Sequence, residues 1–233
     1  MQVYLDNAAT TRVCLEAFEA MQNCMLTDFG NPSSLHIKGI DAAEYVKNAR
    51  KSIAKELKCL EKEIVFTSGG TESNNMALIG AAYANIRRGK HIITTSYEHA
   101  SVYNPLIFLE QQGFEVTYLP VDNNGLVDLI KLSEAVREDT IIVSVMYVNN
   151  EVGAVNDLQK ISEIVKKKNT SCLIHCDAIQ AFPKYKIIPS KMGIDLMSVS
   201  SHKFGGPKGC GFLYIKDRVK VNPIIHGGGQ QSN

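Results

Sequence analysis

The sequence predicts an α/β protein of three layers, α/β/α, built around a mostly parallel sheet. Three observations carry that expectation. Helical and strand-like patterns alternate along most of the 233 residues. Several strand segments, such as the run Thr-Ile-Ile-Val-Ser-Val-Met at 140–146, are apolar on both faces. Successive strands are separated by helix-length segments rather than by tight turns, which parallel pairing requires. No internal repeat, low-complexity tract or linker interrupts the pattern, so one domain is expected.

In chain order, residues 38–58 carry Ile40, Ala43, Val46, Ala49, Ile53 and Leu57 at helical spacing, and 63–67 reads as a short buried strand. A glycine pair follows, then a helix over 71–88. Residues 91–95 form a strand, 101–112 a helix and 115–119 a strand. The turn Asp122-Asn-Asn-Gly125 leads to a helix near 128–137 and a strand over 140–148. A helix at 157–168 and strands at 171–176, 195–200 and 211–216 complete the series.

Composition narrows the function classes. With 45% hydrophobic and 21% charged residues and a formal net charge of +1, the chain has an ordinary soluble balance and no electrostatic case for nucleic acid or an anionic membrane. Lys166-Lys167-Lys168 suits the carbonyl end of a helix. The opening MQVYLDNAATTR has no secretory pattern and no apolar run reaches membrane-spanning length, so a cytoplasmic setting is expected. Six cysteines without a CxxC pair read as free thiols of a reducing compartment. Cys172 and Cys176 would share a strand face while His175 points away, so no metal site is expected there.

In a sheet of this kind, ligands bind beyond the carboxyl ends of the strands. After 63–67 comes Ser68-Gly-Gly-Thr-Glu-Ser73, where bare backbone N–H groups and hydroxyls could cradle a phosphate, or Ser68 or Thr71 could merely cap the helix. After 91–95 stands His99, a cap or a flat ring for stacking on a flat ligand. After 140–148 stands Asn150, a turn former or an amide for a ligand oxygen. After 171–176 comes Asp177-Ala-Ile-Gln180, which has the shape of a capping box. It also offers a desolvated acid in need of a cationic partner.

After 195–200 comes Lys203, between an apolar run and Gly205, Gly206 and Gly209. To act as a nucleophile its pKa must fall from about 10.4 to roughly 7–8, which a dry strand end with a neighbouring cation can bring about. A phosphate cradle, a stacking ring, a buried acid and a reactive amine together fit a phosphorylated aldehyde with a basic aromatic ring. Pyridoxal 5′-phosphate (PLP) has all of these features.

The motifs YLDNAATT, FGNPSSLH, FTSGGTESNN, EHAS, VNNEVG, HCDAIQ, SSHKFGGPKG and HGGG, in that order over residue 3 to about 229, resemble those of the cysteine desulfurases. These belong to the class V aminotransferase group of fold-type I PLP enzymes. The resemblance implies that Lys203 attaches the cofactor and moves the substrate α-proton, that Asp177 bonds the pyridine nitrogen, and that Gln180 bonds the ring hydroxyl oxygen. It further implies that His99 stacks on the ring as the second catalytic residue and that Asn150 lies near the ring oxygen and the substrate carboxylate. Gly70, Thr71, Ser200 and His202 would hold the phosphate.

L-Cysteine would be the substrate, a homodimer the assembly and a sulfur-acceptor protein a possible partner, as in iron-sulfur cluster assembly. Residues 1–15 would be an N-terminal segment packing with a small domain, and 16–233 the large PLP-binding domain. Such enzymes continue past HGGG, so the expectation is a truncated form without the small domain and the nucleophilic cysteine. Cys210 reads as structural. A selenocysteine lyase or another class V enzyme, and a non-catalytic cofactor- or partner-binding remnant, are the alternatives.

Overall fold

In the computed structural model, residues 1–228 are described; residues 229–233, with the last glycine of the HGGG motif, lie outside the described residues. The chain runs α1 (Leu15–Leu26), α2 (Ile37–Leu57), β1 (Ile64–Thr67), α3 (Gly70–Asn75), α4 (Ala81–Asn85), β2 (His91–Thr95), α5 (Ala100–Gln111) and β3 (Glu115–Leu119). It continues through α6 (Leu129–Ala135), β4 (Thr140–Met146), α7 (Leu158–Lys168), β5 (Leu173–Asp177), α8 (Pro189–Met192), β6 (Leu196–Ser200) and β7 (Gly211–Ile215). The sheet has seven strands in the order β1-β7-β6-β5-β4-β2-β3.

Every pairing from β3 through to β6 is parallel. β7 is antiparallel to both of its neighbours, so β1 runs in the same direction as β2 to β6. The carboxyl ends of six strands therefore lie at one end of the sheet, which is what gathers the site.

Alternate residues of each strand enter one of two cores. Ile93, Val143, Ile174, Met197 and Phe212 pack with Leu57 of α2, Leu132 of α6 and Leu158, Ile161 and Val165 of α7. Ile92, Ile142, Leu173, Leu196 and Leu213 pack with Ala77, Leu78 and Ala82 around α3 and α4 and with Val102, Leu106 and Leu109 of α5. Both faces are thus covered, as the doubly apolar strands require. Among the described residues no helix is long and apolar enough to cross a membrane.

The structure departs from the sequence reading at several points, the unpredicted short α8 among them. The single helix expected over 71–88 widens to a π turn at Met76–Gly80, where the Asn222 N–H donates to the Gly80 carbonyl at 3.0 Å. α1 was not predicted; none of its residues is buried, and Ala17, Met21 and Cys24 are half-buried. Lys166 is not simply part of a solvated helix end: its amine bonds Asp195 at 2.7 Å, and Lys216 bonds the same carboxyl at 3.0 Å.

Asp195 is 2% exposed and also accepts the buried Ile174 N–H at 3.0 Å, tying α7 and the ends of β5, β6 and β7 together. Asp195→Ala strands that N–H and two lysines, and is expected to cost on the order of 3 kcal/mol. Asp195→Asn, which keeps an acceptor for Ile174, should recover part of the loss in urea denaturation.

Candidate active site

The ends of β1, β2, β4, β5 and β6 enclose a cavity of about 570 Å³. All the sequence-predicted site residues line it: Gly70, Thr71, His99, Asn150, Asp177, Gln180, Ser200, His202 and Lys203. Residues from positions 70 to 203 meet there because β1, β7 and β6 are adjacent and β6, β5, β4 and β2 follow in order.

Asp177 ends β5 and is 4% exposed. Burial pushes its carboxyl up from the usual range, opposed by the Ile179 N–H on Oδ1 at 3.0 Å and the Asn74 amide on Oδ2 at 2.8 Å. No helix follows it, so the capping box does not form. Gln180 instead donates from Nε2 to the Ala8 carbonyl at 2.8 Å.

Lys203 closes a short 3-10 turn after β6 and is half-buried. Its amine donates to the Ala8 and Ala9 carbonyls at 2.5 and 2.8 Å. Burial lowers its pKa and the nearby Lys184 adds to this, while Asp177 and Asp6 oppose it. The amine is therefore held at the cavity wall with a lowered pKa, the direction a nucleophilic role would need.

The N-terminal segment is strapped to the same turn. Thr11 donates to the His202 carbonyl from its N–H at 2.7 Å, its hydroxyl accepts the Gly205 N–H at 2.7 Å, and the Cys14 N–H reaches the Gly205 carbonyl at 2.8 Å. His202 Nδ1 lies 3.2 Å from the Thr10 hydroxyl, and burial lowers its pKa, reinforced by Lys203 and Lys208.

At the end of β1, Gly69 has φ +148°, a conformation for glycine, and caps α3 without any side-chain bond. Neither Ser68 nor Thr71 is the cap. The Ser68 N–H and hydroxyl both go to Glu72 Oε2, at 2.7 and 2.5 Å. A Cβ at Gly70 would meet Ile179 Cδ1 at 2.2 Å, so glycine there lets the start of α3 pack closely against Ile179. The register Thr67↔Gly211↔Ser200 brings that turn and Ser200 together.

His99 is the N-cap of α5, the first of its two expected uses, and it also lines the cavity. Asn150 lines the cavity with its amide on Glu151 Oε1 at 2.6 Å, while Asn149 makes the turn by accepting the Glu151 and Val152 N–H groups.

Two polar residues next to the site were not singled out by the sequence. Glu98 lies in the EHAS motif and Asn74 in FTSGGTESNN, but neither motif shows which side chains turn inward. The Glu98 carboxyl takes the Thr95 hydroxyl at 2.5 Å and the Met146 N–H at 3.0 Å on Oε1, and Oε2 is buried without a partner. Burial pushes Glu98 up to about 8.

No cysteine lines the cavity. Burial pushes Cys59 up to about 11, Cys172 to about 12 and Cys176 well above the usual thiol range. Cys210, expected to pack as a small hydrophobe, is exposed, because the loop before β7 turns outward there. Among the described residues there is no cluster of potential metal ligands.

An amine, a buried acid and a glycine turn thus meet at the carboxyl end of a mostly parallel α/β sheet. The chain belongs to the Aminotransferase class-V family, whose model matches residues 3–233. It is similar to cysteine desulfurase IscS of Dictyoglomus turgidum, with 48% identity over 232 residues covering 100% of this chain and 58% of that protein. Cysteine desulfurase IscS of Methanosarcina thermophila is 49% identical over 229 residues, 98% of this chain and 56% of that protein.

A solved NifS-like protein superposes with a TM-score of 0.97 at 44% identity, covering 99% of this chain and 63% of that one. A structure of SspA in complex with cysteine superposes at 0.94 with 40% identity, covering 99% of this chain and 66% of that one. The chain thus spans less than two thirds of the length of these relatives.

Proposed function

We propose that this chain carries the PLP site of a cysteine desulfurase, which converts L-cysteine and an acceptor thiol into L-alanine and a persulfide. The observation that carries the proposal is the meeting of Lys203, Asp177 and His99 in one cavity with the Gly70 and Ser200 wall. The residues fit the cofactor on their own chemistry. Asp177 is a buried acid whose charge lacks a directly bonded cation, and a protonated pyridine nitrogen would supply one. Gly70 and Thr71 at the turn into α3, with Ser200 and His202, line the cavity and would hold the phosphate. Gln180 and Asn150 would bond the ring hydroxyl oxygen, and His99 would cover the ring face.

Bound PLP supplies an electron-withdrawing ring that stabilises the negative charge left when the substrate α-carbon loses its proton. Lys203 removes that proton and carries it during turnover. Asp177 keeps its charge against the ring nitrogen, and the Asn74 and Ile179 donors hold the carboxyl in place. Sulfur leaves as the acceptor thiolate bonds to it, so one S–S bond replaces one C–S bond and no external oxidant is needed. The homodimer and the acceptor protein belong to the same proposal, as does a cytoplasmic setting. The exposed Leu15, Phe18, Met25 and Leu26 of α1 are the apolar surface that a second chain or a further domain would cover.

The test is titration with PLP, followed by absorbance, with alanine formation from L-cysteine as the second readout. A saturable yellow complex is expected. Asp177→Asn keeps the shape of the site and loses the charge, and is expected to weaken PLP binding roughly 10- to 100-fold. A chain that takes up no PLP refutes the proposal.

A further inference from the structure

We propose that Asn74 and Ser101 are positioning residues that hold His99 as the tautomer with its proton on Nε2, making it a hydrogen-bond donor to the cavity rather than a proton carrier. The consequence for catalysis rests on the PLP reading above. The tautomer itself does not.

The decisive contact is a backbone one. The Ser101 N–H donates to His99 Nδ1 at 3.0 Å, as the N-cap bond of α5. A backbone donor cannot rotate or exchange roles, so Nδ1 must present its lone pair and cannot carry a proton. The second contact to Nδ1 is the Ser101 hydroxyl at 2.8 Å. That hydroxyl oxygen is itself an acceptor for the Asn74 amide at 2.9 Å, which leaves its own proton for Nδ1.

Asn74 uses the same amide nitrogen on Asp177 Oδ2 at 2.8 Å. With the amide reversed, its carbonyl would face the Asp177 carboxyl, acceptor against acceptor, so the orientation is fixed by the acid. Asn74 and Ser101 are 0% and 6% exposed, so these bonds are largely shielded from solvent. A continuous line of donors therefore runs from Asp177 through Asn74 and Ser101 to His99.

Among the described residues His99 Nε2 has no hydrogen-bond partner, and the residue lines the cavity. With Nδ1 occupied by two donors, the ring offers the cavity one N–H. Acting as an acid-base shuttle would need a proton on Nδ1, which would point at the Ser101 N–H. A neutral ring at a helix N-terminus acting as a donor has precedent in enzyme chemistry. In this site such a donor suits a ligand oxygen or a sulfur-bearing substrate atom that gains negative charge.

The test is ¹⁵N spectroscopy of the histidine rings in the full chain near pH 7.5, without added cofactor and again with PLP, with His99 assigned by the signal missing in His99→Gln. Wild type is expected to show a protonated Nε2 and an unprotonated, hydrogen-bonded Nδ1. Ser101→Ala should move the Nδ1 resonance downfield, the direction of a lost hydrogen bond, and Ser101→Thr should restore it. Asn74→Ala, which does not touch His99, should move it the same way. Asn74→Ser is read in its place if that variant does not fold.

A proton on Nδ1 in wild type overturns the proposal, as does an Nδ1 resonance that responds to Ser101→Ala but not to either Asn74 variant. A chain that shows the expected tautomer but binds no PLP leaves the relay standing and removes the cofactor reading.

Discussion

Lys203→Ala is expected to abolish covalent retention of PLP after borohydride reduction, while the wild-type chain keeps the cofactor through denaturation. The physical basis is that Lys203 brings its amine to the cavity wall with a lowered pKa, because burial and Lys184 both disfavour its charge. Asp177, His99 and the Gly70–Thr71 turn remain in the variant, so reversible binding should persist in weakened form. Alanine formation from L-cysteine, where the wild-type chain supports it, should fall by a factor of about 10²–10⁴, the usual contribution of a positioned general base, or by more. Lys184→Ala is the control, since Lys184 is the other amine acting on this neighbourhood. Undiminished covalent retention in Lys203→Ala, or its loss in Lys184→Ala alone, would move the nucleophile and sink the assignment.

Glu98 gives the second large effect. Its residue is partly exposed, but the carboxyl end is buried, with Oε2 lacking any partner and Asp177 close enough to add repulsion. Burial raises its pKa from 4.5 to about 8, so the folded chain keeps a proton that the unfolded chain has lost above the ordinary glutamate range. Stability tied to that proton is present in full below about pH 4.5 and is lost as the pH rises through about 8. Glu98→Gln retains the acceptor for Thr95 and Met146 and has no charge to develop.

Relative to wild type, the variant is therefore expected to gain stability between pH 5 and pH 9, by an amount on the order of a few kcal/mol. Urea denaturation at both pH values measures it. A difference between variant and wild type that does not change with pH would show that the carboxyl is ionised and solvated.

Much of this protein was legible in its sequence. Alternating strand and helix patterns, and strands apolar on both faces, gave the three layers, because burial on two faces leaves no polar alternation to mistake. Helix α2, expected at 38–58, is Ile37–Leu57. The positions worth inspecting followed from the rule that ligands gather beyond strand ends, which needs only the order of elements. α1 was not read although Leu15, Phe18, Met21 and Met25 recur at helical spacing against Glu16, Glu19 and Gln22, and the structure leaves much of that apolar stripe uncovered. The π turn escaped because its cause is the approach of Asn222, far away in sequence.

The sequence by itself determined the strand-end residues and their chemical types: an amine, an acid, a ring, an amide and a glycine wall. Those are local properties, written in side-chain identity and spacing. Only the tertiary structure decided that Gln180 reaches Ala8 rather than capping a helix, that Glu98 buries its carboxyl between β2 and β4, and that Asn74 joins Asp177 to Ser101. Each of those depends on strand order and on contacts between residues up to 172 positions apart. Hydrogen bonds at that range are fixed by packing, and no pattern along the chain encodes them.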